Sequence, residues 1–381
     1  MRNVTEVALV FLKLGTTAFG GPAAHIAMMD EEIVKRRGWV DRESFLDMLG
    51  TANLIPGPNS TELAIHIGYK RAGWPGLLAA GICFIAPAML IVWLLAWLYV
   101  RYGTLPELTG VLYGIKPVIV AVVAQALWSL ARTAVKSRTT LALGVAALAA
   151  VALGANELPV LLAAGFIGAA LSGRIAPGGA ASFAPWPAMA AAAAAAEPSA
   201  LKPAGLSLAA LFFTFLKIGS VLYGSGYVLI AYLQADFVDR TAALTAGQLM
   251  DAVAVGQFTP GPLFTTATFV GYLVHGGPGA LAATAGIFLP AFVFIALIGR
   301  WAARLRSHPR TSGFLDGVNV ASLAMMTAVS GKLAVSSVVD WTTGALAAAA
   351  FLVLVRYKWN SAWLVLAGGI AGWAATAASG G

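Results

Sequence analysis

Two blocks of this chain match one another at a constant spacing of 204 residues. FLKLG at Phe11–Gly15 returns as FLKIG at Phe215–Gly219, and Pro56-Gly57-Pro58 returns as Pro260-Gly261-Pro262. Asp47 falls in register with Asp251, and Gly20 with Gly224. After one deletion the spacing is 203, which matches Pro87 to Pro290 and Gly114 to Gly317. Several identities in one register mark an internal duplication, so both halves must be able to adopt one fold. The halves are expected at residues 1–173 and 205–381. Residues 174–204 between them are rich in Ala, Pro and Gly without an amphipathic period, and read as a linker with a short helical piece at Ala188–Glu197.

Composition says what kind of fold is duplicated. Of 381 residues, 59% are hydrophobic and 10% are charged, where a soluble domain carries about 25% charged residues. Recurring apolar runs predict an all-α polytopic membrane protein. Spans are expected near 4–28, 77–100, 111–131, 139–155 and 157–173, then near 206–231, 280–299, 313–333, 340–356 and 360–378, five per half. The net charge of +8 sits in short clusters beside these spans, which suits orientation in a bilayer and not nucleic-acid binding. The single cysteine, Cys83, excludes an internal disulfide and a cysteine-rich metal site. Met1–Phe19 contains Glu6 and Lys13 and does not read as a cleavable signal.

The basic clusters fall at non-equivalent places in the halves. After its first span, half one carries Lys35, Arg36, Arg37 and Arg42, whereas half two carries Arg240 with Asp236 and Asp239. After the next span the order reverses: Arg101 alone in half one, but Arg300, Arg304, Arg306 and Arg310 in half two. Since basic loops face the cytoplasm, the halves are expected to lie in opposite orientations, and an odd number of spans per half gives the same answer. A parallel repeat with accidental charge bias is the alternative.

The Pro-Gly-Pro segments have flanks of one kind: basic on both sides in half one, poor in basic residues on both sides in half two. A segment that leaves and returns on one side is a hairpin, so 43–70 and 246–275 are read as re-entrant hairpins with the motif at each tip. Proline breaks a helix and glycine permits the turn, and such a break is tolerated in a bilayer only where protein or a polar cavity satisfies it. A plain proline kink is the alternative. Beyond Pro58 a helix restarts at Asn59, Ser60, Thr61 and Glu62, with its N–H groups and dipole directed at the tip, a natural anion site. In half two Thr265 and Thr266 supply hydroxyls there. Gly57 and Gly261 belong to the same candidate site.

Lys13 and Lys217 are matched lysines inside the first spans, and such residues face a cavity or a charged partner unless they snorkel. Lys116 is matched by Asn319. Asp47 and Asp251 are candidates for carrying a proton or pairing with the lysines. Glu62 and His66, four apart, share a helix face, and with His25 they can form a proton route; a zinc site would need three or four converging ligands. The glycine patterns containing Gly20, Gly21 and Gly224 suit close helix packing or exposed backbone on a substrate path. No nucleophile–base constellation supports an enzyme, and no cofactor is called for.

FGGPAAHIAMMDEEIVKRRGWV, then LIPGPNSTELAIHIGY and GICFIAPAML, resemble the chromate ion transporter family, the ChrA-like proteins, and half two repeats the pattern with FLKIGSVLYGSGYVLIAYLQADFV, FTPGPLFTTATFVGY and GIFLPAF. The resemblance covers nearly the whole chain apart from the linker and the last spans. It implies the long, two-domain form of the family in a bacterial inner membrane, exporting chromate or a similar oxyanion such as sulfate. Motif positions carried over are Phe19, Gly20, Gly21, Pro22, His25, Trp39, Pro56, Gly57, Pro58, Asn59, Gly68 and Tyr69, and in half two Gly224, Gly226, Pro260, Gly261, Pro262, Gly271 and Tyr272. Half two departs from the pattern with Leu229 in place of His25 and Gly226 in place of Pro22. Expected partners are the oxyanion and the lipid bilayer; a homodimer stays open, as does an anion channel or sensor.

Overall fold

The computed structural model describes residues 2–19, 21–103, 106–173, 206–224, 226–298, 309–357 and 359–378. Gly20, the linker and the cluster Arg300, Arg304 and Arg306 lie outside the described residues. Among the described residues all regular structure is helical: α1 (Arg2–Thr17), α2 (Gly21–Met29, continued by a wider π-type turn over Asp30–Arg36), α3 (Arg42–Ala52), α4 (Asn59–Tyr102), α5 (Pro106–Ala134), α6 (Arg138–Ala152) and α7 (Glu157–Gly173) in half one. Half two has α8 (Leu208–Val221), α9 (Leu229–Leu233, continued by Gln234–Arg240), α10 (Ala246–Phe258), α11 (Thr266–Ile298), α12 (Pro309–Ser337), α13 (Trp341–Tyr357) and α14 (Ser361–Ala378). Four segments, Asn59–Tyr102, Thr109–Ala134, Leu263–Leu297 and Pro309–Ser337, are long and apolar enough to cross a membrane, and five shorter apolar helices accompany them. The chain is a multi-pass, all-α membrane protein.

The first expected span of each half is not one helix. α1 stops at Thr17 and α8 at Val221. Lys13 pairs with Glu32, and Lys217 with Asp236. Nineteen residues of unbroken helix would hold each pair about 28 Å apart, so the chain has turned back between them. Glu6 near the start of α1 likewise pairs with Arg37, just beyond α2. The expected spans 4–28 and 206–231 are therefore helical hairpins. The left-handed backbone of Gly21 (φ 77) and Gly224 (φ 98) marks the reversals.

In each half the chain breaks again at its Pro-Gly-Pro segment. Trp39, before α3, lies under the guanidinium of Arg71, which ends the first segment of α4, so α3 and that segment run antiparallel with Pro56–Pro58 between them. α4 then kinks sharply at Ala72 and Gly73, and α11 kinks with almost the same angles at His275 and Gly276. Glycine supplies the positive φ, 62° and 60°, that the bend requires. What the sequence shows as a loop before a new span is in each case a bend in one continuous helix.

The halves interlock. Gly81 of α4 meets Phe292 of α11, and Trp93 meets Gly277, so these equivalent helices pack antiparallel. Glycines carry two further antiparallel crossings. Gly110 and Gly114 of α5 press on Thr376, Gly372 and Gly368 of α14, while Gly313 and Gly317 of α12 press on Ser172, Gly168 and Ala164 of α7. Small residues permit backbones this close where lipid removes the hydrophobic drive between helices. The fifth helix of each half, α5 or α12, thus packs against the last helix of the other. Ser172 sits beside Gly313 at the start of α12, whereas Leu206 hydrogen-bonds through its carbonyl to His275 at the kink of α11. Gly173 and Leu206 accordingly lie at opposite ends of the bundle. Among the described residues each half contributes four end-to-end helices where five spans are expected, so the odd-span count does not support opposite orientation.

Candidate functional site

The two Pro-Gly-Pro tips meet the opposite half. Gly57 has φ 137 and donates its N–H to Leu222 O at 2.8 Å; Gly261 has φ 91 and donates to Ala18 O at 2.9 Å. Ala18 and Leu222 are equivalent residues at the first break of each half. Each tip also abuts a small residue of the other half's long helix: Gly57 faces Ala291, and a Cβ on Gly261 would stand 2.7 Å from that of Ala88. Ala88 is about midway between the kink of α4 and its end, so both tips lie at mid-depth. The two glycine N–H groups join the halves.

In half one the restarted helix carries a polar cluster. His25 is 1% exposed, with Nδ1 3.1 Å from Ser60 Oγ and Nε2 3.1 Å from Ala18 O. A carbonyl can only accept, so in neutral His25 Nε2 carries the proton and Nδ1 accepts from the Ser60 hydroxyl. Since Ala18 O also receives Gly261 N–H, this chain of bonds joins one tip to the other. Glu62 is 0% exposed, and neither carboxyl oxygen has a partner. Its Oε1 occupies the notch that a Cβ on Gly57 would fill. Thr61 Oγ1 and His66 Nδ1 are likewise buried without partners. Among the described residues no hydrogen bond links Glu62, His66 and His25 into the expected proton route. Asn59 turns back to Asn53, its amide donating at 2.6 Å.

Half two lacks this cluster. Thr265 donates its hydroxyl proton to Pro262 O at 2.8 Å and Thr266 to Leu263 O at 2.8 Å. Both hydroxyls are used in closing the local turn and are not free donors at the tip. Leu229 stands where His25 would be.

The charges are arranged in pairs that differ from those expected. Lys13 Nζ is 3.4 Å from Glu32 and Lys217 Nζ is 3.0 Å from Asp236, neither lysine pairing with Asp47 or Asp251. Glu32 and Asp236 each receive a cation from the next helical turn, Arg36 and Arg240, and Glu32 takes a third from Arg37 at 2.9 Å. The two acids are 204 apart, as are the two arginines, so both triads were present in the repeat register. Asp251 is buried at 3% and engages Lys116 at 3.4 Å and the Tyr99 hydroxyl at 2.8 Å, tying α10 to α5 and α4. Asp47 is exposed. Tyr99 carries no sequence signal, since half two has Ala302 at its place.

Comparison with known sequences gives this geometry a family. The profile of the chromate transporter family matches twice, over residues 5–169 and 209–373. The chain belongs to the chromate transporter family. It is 33% identical over 371 residues to a chromate transport protein of Cupriavidus metallidurans, covering 96% of this chain and 91% of the relative. A chromate transport protein of Pseudomonas aeruginosa is 30% identical over 377 residues, 95% of this chain and 90% of the relative. A probable chromate transport protein of Synechococcus elongatus is 30% identical over 341 residues, with coverage of 87% and 84%. No solved structure matches.

Proposed function

We propose that this chain is a secondary active transporter that exports chromate, or a similar oxyanion such as sulfate, across the cytoplasmic membrane and so gives chromate resistance. The observation that carries the reading is the reciprocal docking of two broken-helix tips at mid-depth, a place where anion sites form in transporters built from opposed repeats. The relatives' names supply the anion. The antiparallel packing of α4 on α11 supports an inverted repeat, with residues 1–173 and 205–381 as its units. The first hairpin of each half is supported by the Lys13–Glu32 and Lys217–Asp236 pairs, and the Pro-Gly-Pro hairpin of half one by Arg71 over Trp39. The end carrying Arg36, Arg37, Arg71 and Arg138 faces the cytoplasm.

The anion lies between the tips. The helix N-termini after Pro58 and Pro262 stabilise it, with Asn59, Ser60 and Thr61 and the backbone at Gly21 and Gly224 lining its path. Lys13 and Lys217 act from within their carboxylate pairs. Glu62 is the foremost proton carrier, because an isolated buried carboxyl takes up charge only at a high cost; His25, Asp47 and Asp251 serve it. Movement of the hairpins against the helical wall alternates access.

Purified protein in liposomes tests this. Net chromate movement against its gradient is expected when a proton gradient is imposed; equilibration without uphill movement would indicate a channel, and no movement a sensor. Glu62→Gln should keep transport down a gradient and lose its response to pH difference. Thiol labelling of Arg36→Cys and Arg240→Cys is expected from opposite sides, and labelling of both from one side overturns the inversion.

A further inference from the structure

A small pocket of 140 Å³ lies between the end of α5, the first break of half two and the middle of α12. Its polar lining comes from Thr133, Lys136, Gly224, Asn319 and Ser322. Ser322 is 1% exposed, and its hydroxyl has no partner. Leaving a buried hydroxyl unmatched costs about 1–3 kcal/mol, so this group needs an explanation that packing does not supply. Asn319 is three residues away on the same helix face, and its Oδ1 is 3.4 Å from where a Cβ on Gly224 would stand. The left-handed backbone of Gly224 keeps that wall of the pocket open. Thr133 donates to Leu130 O at 2.9 Å. Lys136 stands at the basic end of the pocket, with Asp316 2.6 Å from its amine. At about 30 Å³ per water the space holds four or five waters, or one four-oxygen anion with a water.

We infer that this pocket is a binding site for a tetrahedral oxyanion entering from the basic end, with the Ser322 hydroxyl and the Asn319 amide as its donors. The inference rests on the transport reading and places a site within it. Lys136 draws anions to the mouth while its carboxylate partner keeps the pocket neutral. Hydrogen bonds from neutral groups then hold the anion without trapping it, as a conducting site requires. Half one offers no second copy: Lys116 replaces Asn319 and is held by Asp251, and Ile119 replaces Ser322.

Binding of radiolabelled chromate and sulfate to the purified full chain tests the site. Ser322→Ala and Asn319→Ala should each weaken binding about tenfold or more, the loss typical of a hydrogen bond to a charged group. Ser322→Ala should hold or raise the melting temperature measured without anion, because it removes an unmatched hydroxyl; a structural serine would lower it. Ser322→Met, which fills the space, should remove the binding that Ser322→Ala weakens, lowering the number of anions bound per chain. Wild-type affinity in a folded Ser322→Ala protein overturns the site and leaves the transport reading standing. Failure of the wild-type chain to bind either anion overturns both.

Discussion

Equivalent residues in the two halves have opposite exposures. Phe19 is 44% exposed and Tyr223 4%; the side chain of Lys13 is 58% exposed and that of Lys217 14%. Thr16, Thr17 and Asp47 are open where Ser220, Val221 and Asp251 are buried. A lysine, two threonines and an aspartate facing lipid would be costly, so this face of α1 and α3 calls for water or a protein neighbour. In half two the same elements are closed against α5 and α4 through Asp251, Lys116 and Tyr99. One repeat unit thus exists in two packings within a single molecule, open at the basic end and shut at the other.

The tips offer the harshest test of that pairing. Gly57→Ala places a methyl on Glu62 Oε1, and Gly261→Ala places one 2.7 Å from the Ala88 methyl, each at a positive φ that alanine resists. Both should reduce transport about a hundredfold or more, which corresponds to roughly 3 kcal/mol. Normal transport by either variant, assayed at equal expression in vesicles, breaks the equivalence of the tips.

The latch should matter next. In a Cys83→Ser background, Thr16→Cys is expected to react with an impermeant thiol reagent from the basic end, whereas Ser220→Cys is protected. Adding Asp251→Asn should expose Ser220→Cys from the opposite end, while Asp47→Asn changes neither rate. Equal labelling of both cysteines in the parent would show that the asymmetry belongs to another cause than closure.

The matched ion pairs should separate by burial. Lys217→Met leaves Asp236 buried beside Arg240 alone and should cost on the order of 2 kcal/mol. Lys13→Met breaks an open pair and should cost less than about 1 kcal/mol. Thermal unfolding of the two variants reads the difference, and a larger loss for Lys13→Met reverses the comparison.

The smallest contrast lies in the caps of the two arms. Asp41 accepts from Ser44 N at 2.7 Å to cap α3, and Thr245 accepts from Gln248 N at 3.1 Å to cap α10. The Ser44 backbone and hydroxyl hold the Asp41 carboxyl below the usual aspartate range. Its contribution is therefore complete above that range and is lost as pH falls through the lowered value. The hydroxyl of Thr245 does not titrate. Hydrogen exchange in the first turn of α3 should quicken in acid and that of α10 should not. Thr245→Ala should cost about 1 kcal/mol at any pH.

Much of the fold was legible in residue order. The repeat register, the helical class and the helix breaks at Pro56–Pro58 and Pro260–Pro262 could all be read. The reversal after Thr17 could not, because an apolar hairpin and an apolar span share a composition and differ only in which residues touch. Gly20, Gly21 and Pro22 marked the place without revealing the turn. Glu32 and Asp236 were visible as matched acids but lay beyond the presumed span ends, so they were not connected to the lysines. Glu62 could be located but not described, since its isolation depends on what surrounds it.

Hydropathy and duplication were enough to require two copies of one membrane-embedded helical unit, because both are properties of the chain read in order. Which lysine is covered, which aspartate is latched and which hydroxyl lacks a partner depend on contacts between residues far apart in that order. Two copies of nearly one pattern can occupy different packings, and the choice between them is made where the halves press on each other: Gly57 on Leu222, Gly261 on Ala18, and Asp251 on Lys116.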